Sequence, residues 1–227
     1  PVARELDEKE EFSYETMQKM AALGLFGVFV SEKFGGQGMD YLSYIIAVEE
    51  LARVDGSHAA TVAAENSLGI GPLYYFGSDE QKKRYLPDLC KGQALWGFGL
   101  TEPNAGSDAS NSKTSAVLDG DEWVINGSKI FITNAATRIT SGVTVLARTG
   151  QRDDGRAELS CIIVEAGTPG FTAKPMHGKM MWRSSNTAEL YFEDCRVPKG
   201  NLLGPRGHGF HQMMQTLDGG RLSIAAM

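Results

Sequence analysis

A change of texture near Ala94 divides the chain into a stretch patterned to pack as helices and a stretch patterned to pair as strands. Before it, Tyr41, Tyr44, Ile45, Val48, Leu51 and Ala52 recur at i, i+3, i+4 and i+7, one stripe of an amphipathic helix. Asp40 stands where an N-cap belongs. Ser57 is placed to cap a second, alanine-rich helix through Leu68. Ser78 with Gln81 spells a capping box for a third, which Pro87 is expected to close. Gly35-Gly36 marks a connection. After Ala94 come short β-branched or aromatic runs: Trp123-Val124-Ile125, Lys129-Ile130-Phe131-Ile132, Val143-Thr144-Val145-Leu146 and Cys161-Ile162-Ile163-Val164. Asp119-Gly120-Asp121, Asn126-Gly127 and Pro169-Gly170 supply turn chemistry between them. Glu189-Leu190-Tyr191-Phe192 adds a strand before Pro198, and so many short strands suggest a small barrel or sandwich. Past Gly209 helical spacing returns, with Phe210, Met213, Met214 and Leu217 on one face. Helices, then strands, then helix make an α+β arrangement of separate layers.

At 227 residues, with 42% hydrophobic and 22% charged, the chain has enough apolar material for a sizeable core. A net charge of -6 argues against nucleic acid or an anionic membrane as the main partner, since both call for a basic surface. A phosphorylated ligand stays compatible, because a few local cations and backbone N–H groups can hold one. Cys90, Cys161 and Cys195 are odd in number and widely spaced, so neither a disulfide framework nor a metal site is expected, and a reducing compartment fits. The apolar run around Leu23–Val30 is far too short for a membrane span. The opening Pro1-Val2-Ala3-Arg4-Glu5-Leu6-Asp7 is polar and acidic, unlike a signal peptide, and reads like the middle of a helix. The final Arg221–Met227 stops in an apolar helical pattern without a stop signal, so both ends look cut.

Generic nucleotide fingerprints are missing. Gly97-Phe98-Gly99 lacks the third glycine and the following helix of a dinucleotide fold, and Gly127-Ser128-Lys129 is not a P-loop. Gly204-Pro205-Arg206-Gly207-His208-Gly209 reads as a flexible junction before a helix. His208 and His211 share a helical face but have no acidic or thiol ligand near them in sequence. No Gly-x-Ser-x-Gly elbow offers a nucleophile. The informative stretch runs from Phe98 to Asp108. It reads either as a strand leading into a polar turn or as a strand end whose Thr101 and Ser107 hydroxyls and open N–H groups meet a flat heterocycle or a pyrophosphate. Phe131-Ile132-Thr133 repeats the theme, an aromatic beside a hydroxyl.

Thr101-Glu102-Pro103-Asn104-Ala105-Gly106-Ser107-Asp108 resembles the first signature of the acyl-CoA dehydrogenases. The resemblance continues in order through Asn126–Asn134, Thr168-Pro169-Gly170-Phe171, Arg183–Leu190, Phe192–Pro198 and Leu217-Asp218-Gly219-Gly220-Arg221. It implies an N-terminal α-helical domain over residues 1–93, a middle β-barrel domain over 94–205 and the start of a C-terminal helical bundle over 206–227. It also implies FAD as cofactor, held by Phe98, Gly99, Leu100, Thr101, Glu102, Pro103, Asn104, Ala105, Gly106 and Ser107 around ring and pyrophosphate. Phe131, Ile132 and Thr133 would pack on the ring face away from substrate. Ser107, Asp218, Gly219, Gly220 and Arg221 would meet the acyl-CoA, although Asp218 and Arg221 also read as a plain i, i+3 helix ion pair.

The implied reaction is α,β-dehydrogenation of the thioester: a carboxylate takes the α-proton and the β-hydrogen leaves to the flavin. Electrons would pass to an electron-transfer flavoprotein. The resemblance places the base late in the bundle or at the position of Gly220. Glycine cannot serve, so no catalytic residue is assigned within these residues. A homotetramer is implied, in bacterial cytoplasm or the mitochondrial matrix. An acyl-CoA oxidase shares the framework, and a non-catalytic flavin- or CoA-binding module is the reading if the chain is complete as given.

Overall fold

The computed structural model describes residues 2–227. The helices α1 (Ala3–Lys9), α2 (Tyr14–Ala22), α3 (Tyr41–Ala52), α4 (Gly56–Ala64), α5 (Gly71–Phe76) and α6 (Asp79–Cys90) come first, with a π-helical turn over Glu65–Ile70 joining α4 to α5. The strands follow: β1 (Leu95–Gly99), β2 (Ser115–Asp119), β3 (Glu122–Thr133), β4 (Thr140–Gln151), β5 (Ala157–Glu165), β6 (Phe171–Pro175), β7 (Thr187–Pro198) and β8 (Leu202–Leu203). A last helix, α7 (Gly209–Ala226), returns to pack on the first part. The α+β class follows from this order.

Local signals act where they were expected. Asp40 accepts from Ser43 N at 2.8 Å at the start of α3. Ser78 and Gln81 exchange both bonds of a capping box, at 3.2 and 3.0 Å. Two helix signals behave differently. Ser57 does not cap α4: the extended Asp55 does, accepting from Ser57 N at 2.8 Å. Pro87 does not end α6, which runs through it to Cys90. The carbonyl freed by the proline is that of exposed Lys83, which water can satisfy, while buried Leu86, Leu89 and Cys90 hold the last turn on the core.

The sheet order is β6-β7-β3-β2-β4-β5-β8, with β1 lying parallel on β4. The sheet curls but does not close, so the expected barrel is an open sheet. Its edges are unsuited to further pairing: β6 ends in Lys174-Pro175, and β8 is two residues long. Asn126-Gly127 is not a hairpin turn either. It is an irregularity inside the single long strand β3, with Gly127 at φ 142° and a register shift against β7. A side chain there would also run into Thr114.

Strand β5 explains how the layers join. Leu159, Cys161 and Ile163 face the core shared with Leu86 and Leu89 of α6 and Met213 of α7. Ile162 and Val164 face the opposite core, formed with Ile125 of β3, Val143 of β4 and Leu190 of β7. Alternation with both faces covered turns the strand into a continuous apolar run. A third core ties Met17 and Met20 of α2 to Tyr44 and Val48 of α3 and Val62 of α4. Each fully buried large apolar side chain contributes roughly 1.5–3 kcal/mol.

Candidate functional site

Two cavities meet where the helices cover the end of β3. The narrow one, about 140 Å³, is walled by Trp96, Phe98, Leu100, Thr101 and the run Phe131-Ile132-Thr133. The larger, about 400 Å³, lies between α4, the π turn, α7 and the loop before β7. Ala64, Leu68, Thr133 and Leu217 line both. Of these four, Thr133 is the one with a polar side chain.

Phe131 is held in an unusual way. Its backbone sits at φ 62°, in the left-handed region, and its ring is 62% exposed. A bulky residue there is a genuine outlier, and such strain is concentrated at ligand sites. The adjoining Asn134 is also left-handed, at φ 62°. Between them Ile132 points inward to the sheet core and Thr133 toward the cavities.

The residues expected around the cofactor separate into four groups. Phe98, Leu100, Thr101, Phe131, Ile132 and Thr133 line the narrow cavity. Gly99 ends β1 and packs against Thr144 and Val145 of β4. Pro103, Asn104, Gly106 and Ser107 are exposed, the first two at the tip of a tight turn closed by the paired backbones of Glu102 and Ala105. Ala105 and Glu102 are turned into the protein. Glu102 has no free oxygen for a cofactor. It accepts from Ser112 Oγ at 2.5 Å, Lys113 N at 2.8 Å, Thr114 N at 3.0 Å and Lys129 Nζ at 2.8 Å. Its part is to fix the loop from behind.

Of the residues expected to meet a thioester substrate, Gly220 and Arg221 line the large cavity. Gly220 is buried, and a Cβ there would sit 3.3 Å from Leu68 Cδ2. Gly219 packs instead against the Tyr41 hydroxyl. Asp218 is exposed and pairs with Arg221 at 2.6 Å, the plain helix ion pair, worth little at such exposure. Ser107 lies on neither cavity wall.

Other lining residues carried no sequence signal strong enough to single them out. Ala60, Ala63, Ala64 and Ser67 fall at i, i+3, i+4 and i+7, a stripe of small side chains that leaves the cavity open; the alanine-rich pattern alone could have hinted at it. Met181 and Trp182 close the far wall from the loop before β7. Trp182 is left-handed at φ 51°, and Gly56 makes room for its indole. Lys179 anchors that loop, donating to Trp182 O at 2.8 Å, Thr187 Oγ1 at 3.0 Å and Ser185 O. Burial pushes its ammonium below the ordinary lysine value, while Glu10 and Asp7 nearby oppose the shift. Among the described residues no group of histidine, cysteine and carboxylate side chains could hold a metal.

Comparison with known proteins agrees with this arrangement along the chain. The family model for the acyl-CoA dehydrogenase N-terminal domain matches residues 1–93, and that for the acyl-CoA dehydrogenase middle domain matches residues 97–195. The chain is 51% identical over 227 residues to the probable acyl-CoA dehydrogenase YngJ of Bacillus subtilis (strain 168), covering 100% of this chain and 59% of that protein. It matches the structure of butyryl-CoA dehydrogenase from Megasphaera elsdenii with a TM-score of 0.92 at 44% identity, over 100% of this chain and 59% of that one. An acyl-CoA dehydrogenase from Bacillus anthracis complexed with FAD matches with a TM-score of 0.89 at 36% identity, over 100% of this chain and 39% of that one. The chain thus spans about three fifths of the length of YngJ. Two family models laid in order over the helical and sheet parts, with identity running from end to end, show that the chain belongs to the acyl-CoA dehydrogenase family.

Proposed function

We propose that these residues form the flavin and acyl-CoA walls of an FAD-dependent acyl-CoA dehydrogenase, an oxidoreductase acting on a CH–CH bond. The observation that carries this reading is the junction at Thr133 of a narrow, aromatic-walled cavity and a wide, mostly apolar one. Such a pair suits a flat ring set edge-on to the reacting end of an apolar chain. In this reading residues 1–93, 94–205 and 206–227 are the helical domain, the sheet domain and the start of the helical bundle.

The narrow cavity holds only part of a flavin ring, but its lining suits one face of it. Phe131 is held out by a strained backbone to offer a ring face, with the Thr101 and Thr133 side chains beside it. When bound, FAD supplies the two-electron acceptor for α,β-dehydrogenation of the thioester. The chain's residues bind, orient and exclude water. Ala60, Ala63, Ala64, Leu68 and Ile224 give the acyl chain an apolar surface, and Gly220 leaves room beside Leu68. Lys179 and Arg221 are the cations of this cavity, the sign that suits the phosphates of CoA. No carboxylate lines either cavity among the described residues, so we place the α-proton acceptor outside them. An electron-transfer flavoprotein as acceptor and a homotetrameric assembly belong to the same proposal. Among the described residues no helix is long and apolar enough to cross a membrane.

The test is anaerobic bleaching of flavin in the full-length, FAD-loaded protein by a panel of acyl-CoA thioesters. Bleaching by at least one thioester is expected. A folded, flavin-loaded protein that no acyl-CoA reduces would overturn the reading in favour of a binding module. Reoxidation by air faster than by an electron-transfer flavoprotein would turn it into an oxidase.

A further inference from the structure

Directly behind the wall shared by the two cavities lies a buried carboxyl that the reading above does not use. Glu65 follows Ala64, opens the π turn and is 0% exposed. Its Oε2 accepts from Trp96 N of β1 at 3.0 Å and from Asn134 Nδ2 at 3.2 Å. Its Oε1 meets no donor, and Asn134 Oδ1, equally buried, meets none either. Asn134 follows Thr133, bonds Thr61 O of α4 at 3.2 Å, and takes Asn186 O through its own N–H at 3.0 Å. A single side-chain pair thereby ties α4 and the π turn to the end of β3 and to the loop before β7.

We propose that Glu65 is a positioning residue that acts as a neutral carboxylic acid, holding Thr133 at the junction of the two cavities through Asn134. The electrostatic surroundings agree. No cation pairs with Glu65: α4 presents Thr61, while its His58 is bound to Asp55, β1 presents the Trp96 backbone, the end of β3 Asn134, and α6 the Cys90 thiol. Of the other helices on the π turn, α5 carries Tyr74 and Tyr75, and α7 carries an exposed His211 and the Asp218–Arg221 pair at the surface. Desolvation therefore governs, and burial pushes the Glu65 carboxyl up to about 8, with the Trp96 and Asn134 donors opposing it. Burial without a cation thus favours the neutral acid at neutral pH. Above about pH 8 it becomes a buried carboxylate that meets two N–H donors and no cation, a state costly enough to disturb the packing that holds Thr133.

The positioning role rests on the site proposed above for its consequence, but its test does not. In the full-length protein the Thr133 methyl resonance is followed with pH, and the carbonyl stretch of a protonated carboxyl is sought by infrared spectroscopy. The wild type should show that band at neutral pH and a Thr133 titration centred near pH 8. Glu65→Gln, which keeps a neutral side chain of the same shape, should lose the band and hold Thr133 at its low-pH position throughout. Glu65→Leu, which cannot accept from Asn134, should displace Thr133 at every pH and weaken FAD binding by up to about tenfold, the worth of one net hydrogen bond. A missing band, a Thr133 titration that survives Glu65→Gln, or an undisplaced Thr133 in Glu65→Leu overturns the proposal. If the leucine variant does not fold, the glutamine variant decides. A wild type that takes up no FAD refutes the flavin reading alone, while the Thr133 titration still decides the role of Glu65.

Discussion

Replacing Lys129 with methionine removes the cation against which the Glu102 carboxylate is buried. Lys129 Nζ donates to Glu102 Oε1 at 2.8 Å, to Leu100 O at 3.1 Å and to Ser112 Oγ at 3.2 Å, and the pair is almost wholly shielded from water. Burial alone would raise the Glu102 carboxyl, but Lys129, Ser112 and Lys113 together hold it from 4.5 down to about 2. For Lys129 burial pulls the ammonium down and Glu102 holds it up. The charged pair is the state the geometry favours, since the carboxylate meets four donors. At 1.36 kcal/mol per unit the Glu102 shift corresponds to about 3 kcal/mol. Because its folded value is depressed, that stability is present above about 4.5 and is lost as pH falls toward 2. Lys129→Met leaves the carboxylate buried without a cation, at a cost of about 3–5 kcal/mol. Adding Glu102→Gln removes the stranded charge and should recover most of that loss. The assay is urea unfolding of the wild type, the single and the double variant at neutral pH, with a wild-type series into acid. A single variant within about 1 kcal/mol of wild type, or a double variant no better than the single, would refute the reasoning.

Gly127→Ala should lower stability by about 2–3 kcal/mol, read as a fall in melting temperature, because φ is 142° and the new Cβ would lie 2.6 Å from Thr114 Oγ1. Ser78→Ala should cost about 1 kcal/mol by chemical denaturation, since it removes one half of the capping box on α6. Residues 1–227 alone should bind FAD weakly, because Phe131 stays 62% exposed and the cavity beside it is only about 140 Å³; tight stoichiometric uptake in a titration would contradict this. If the proposed α-proton acceptor outside these residues is a carboxylate, its replacement by the amide should abolish flavin bleaching by acyl-CoA, and adding Gly220→Glu should restore part of it. Position 220 lines the large cavity, and a Cβ there lies 3.3 Å from Leu68 Cδ2 and 3.7 Å from Ser67 Oγ.

The parts of this molecule that were legible in sequence are those whose cause lies within a few residues. The Ser78–Gln81 box joins groups three apart, as does the Asp40 cap. Asp119-Gly120-Asp121 closes the β2–β3 hairpin, with Asp119 paired to Glu122 and Gly120 at φ 61°. Such signals determined which stretches are helix and which strand, and the order of the motifs determined the family. They misled where the deciding partner was distant. Asn126-Gly127 carries turn chemistry, yet β7 runs alongside and keeps β3 unbroken through it. Pro87 carries stop chemistry, yet the core beneath Leu86 and Leu89 outweighs one lost hydrogen bond.

Glu102 shows the same limit within the candidate site. Its motif suggested a group facing a cofactor, whereas Lys129, 27 residues on, draws it inward. Glu65 gave no sequence signal at all, since its partners Trp96 and Asn134 stand 31 and 69 residues away. The sequence by itself determined the order of the layers and the family. Only the tertiary structure decided which side chains face the cavities and which brace them from behind, because a buried polar group is directed by whichever partner can satisfy it, and packing alone brings that partner near.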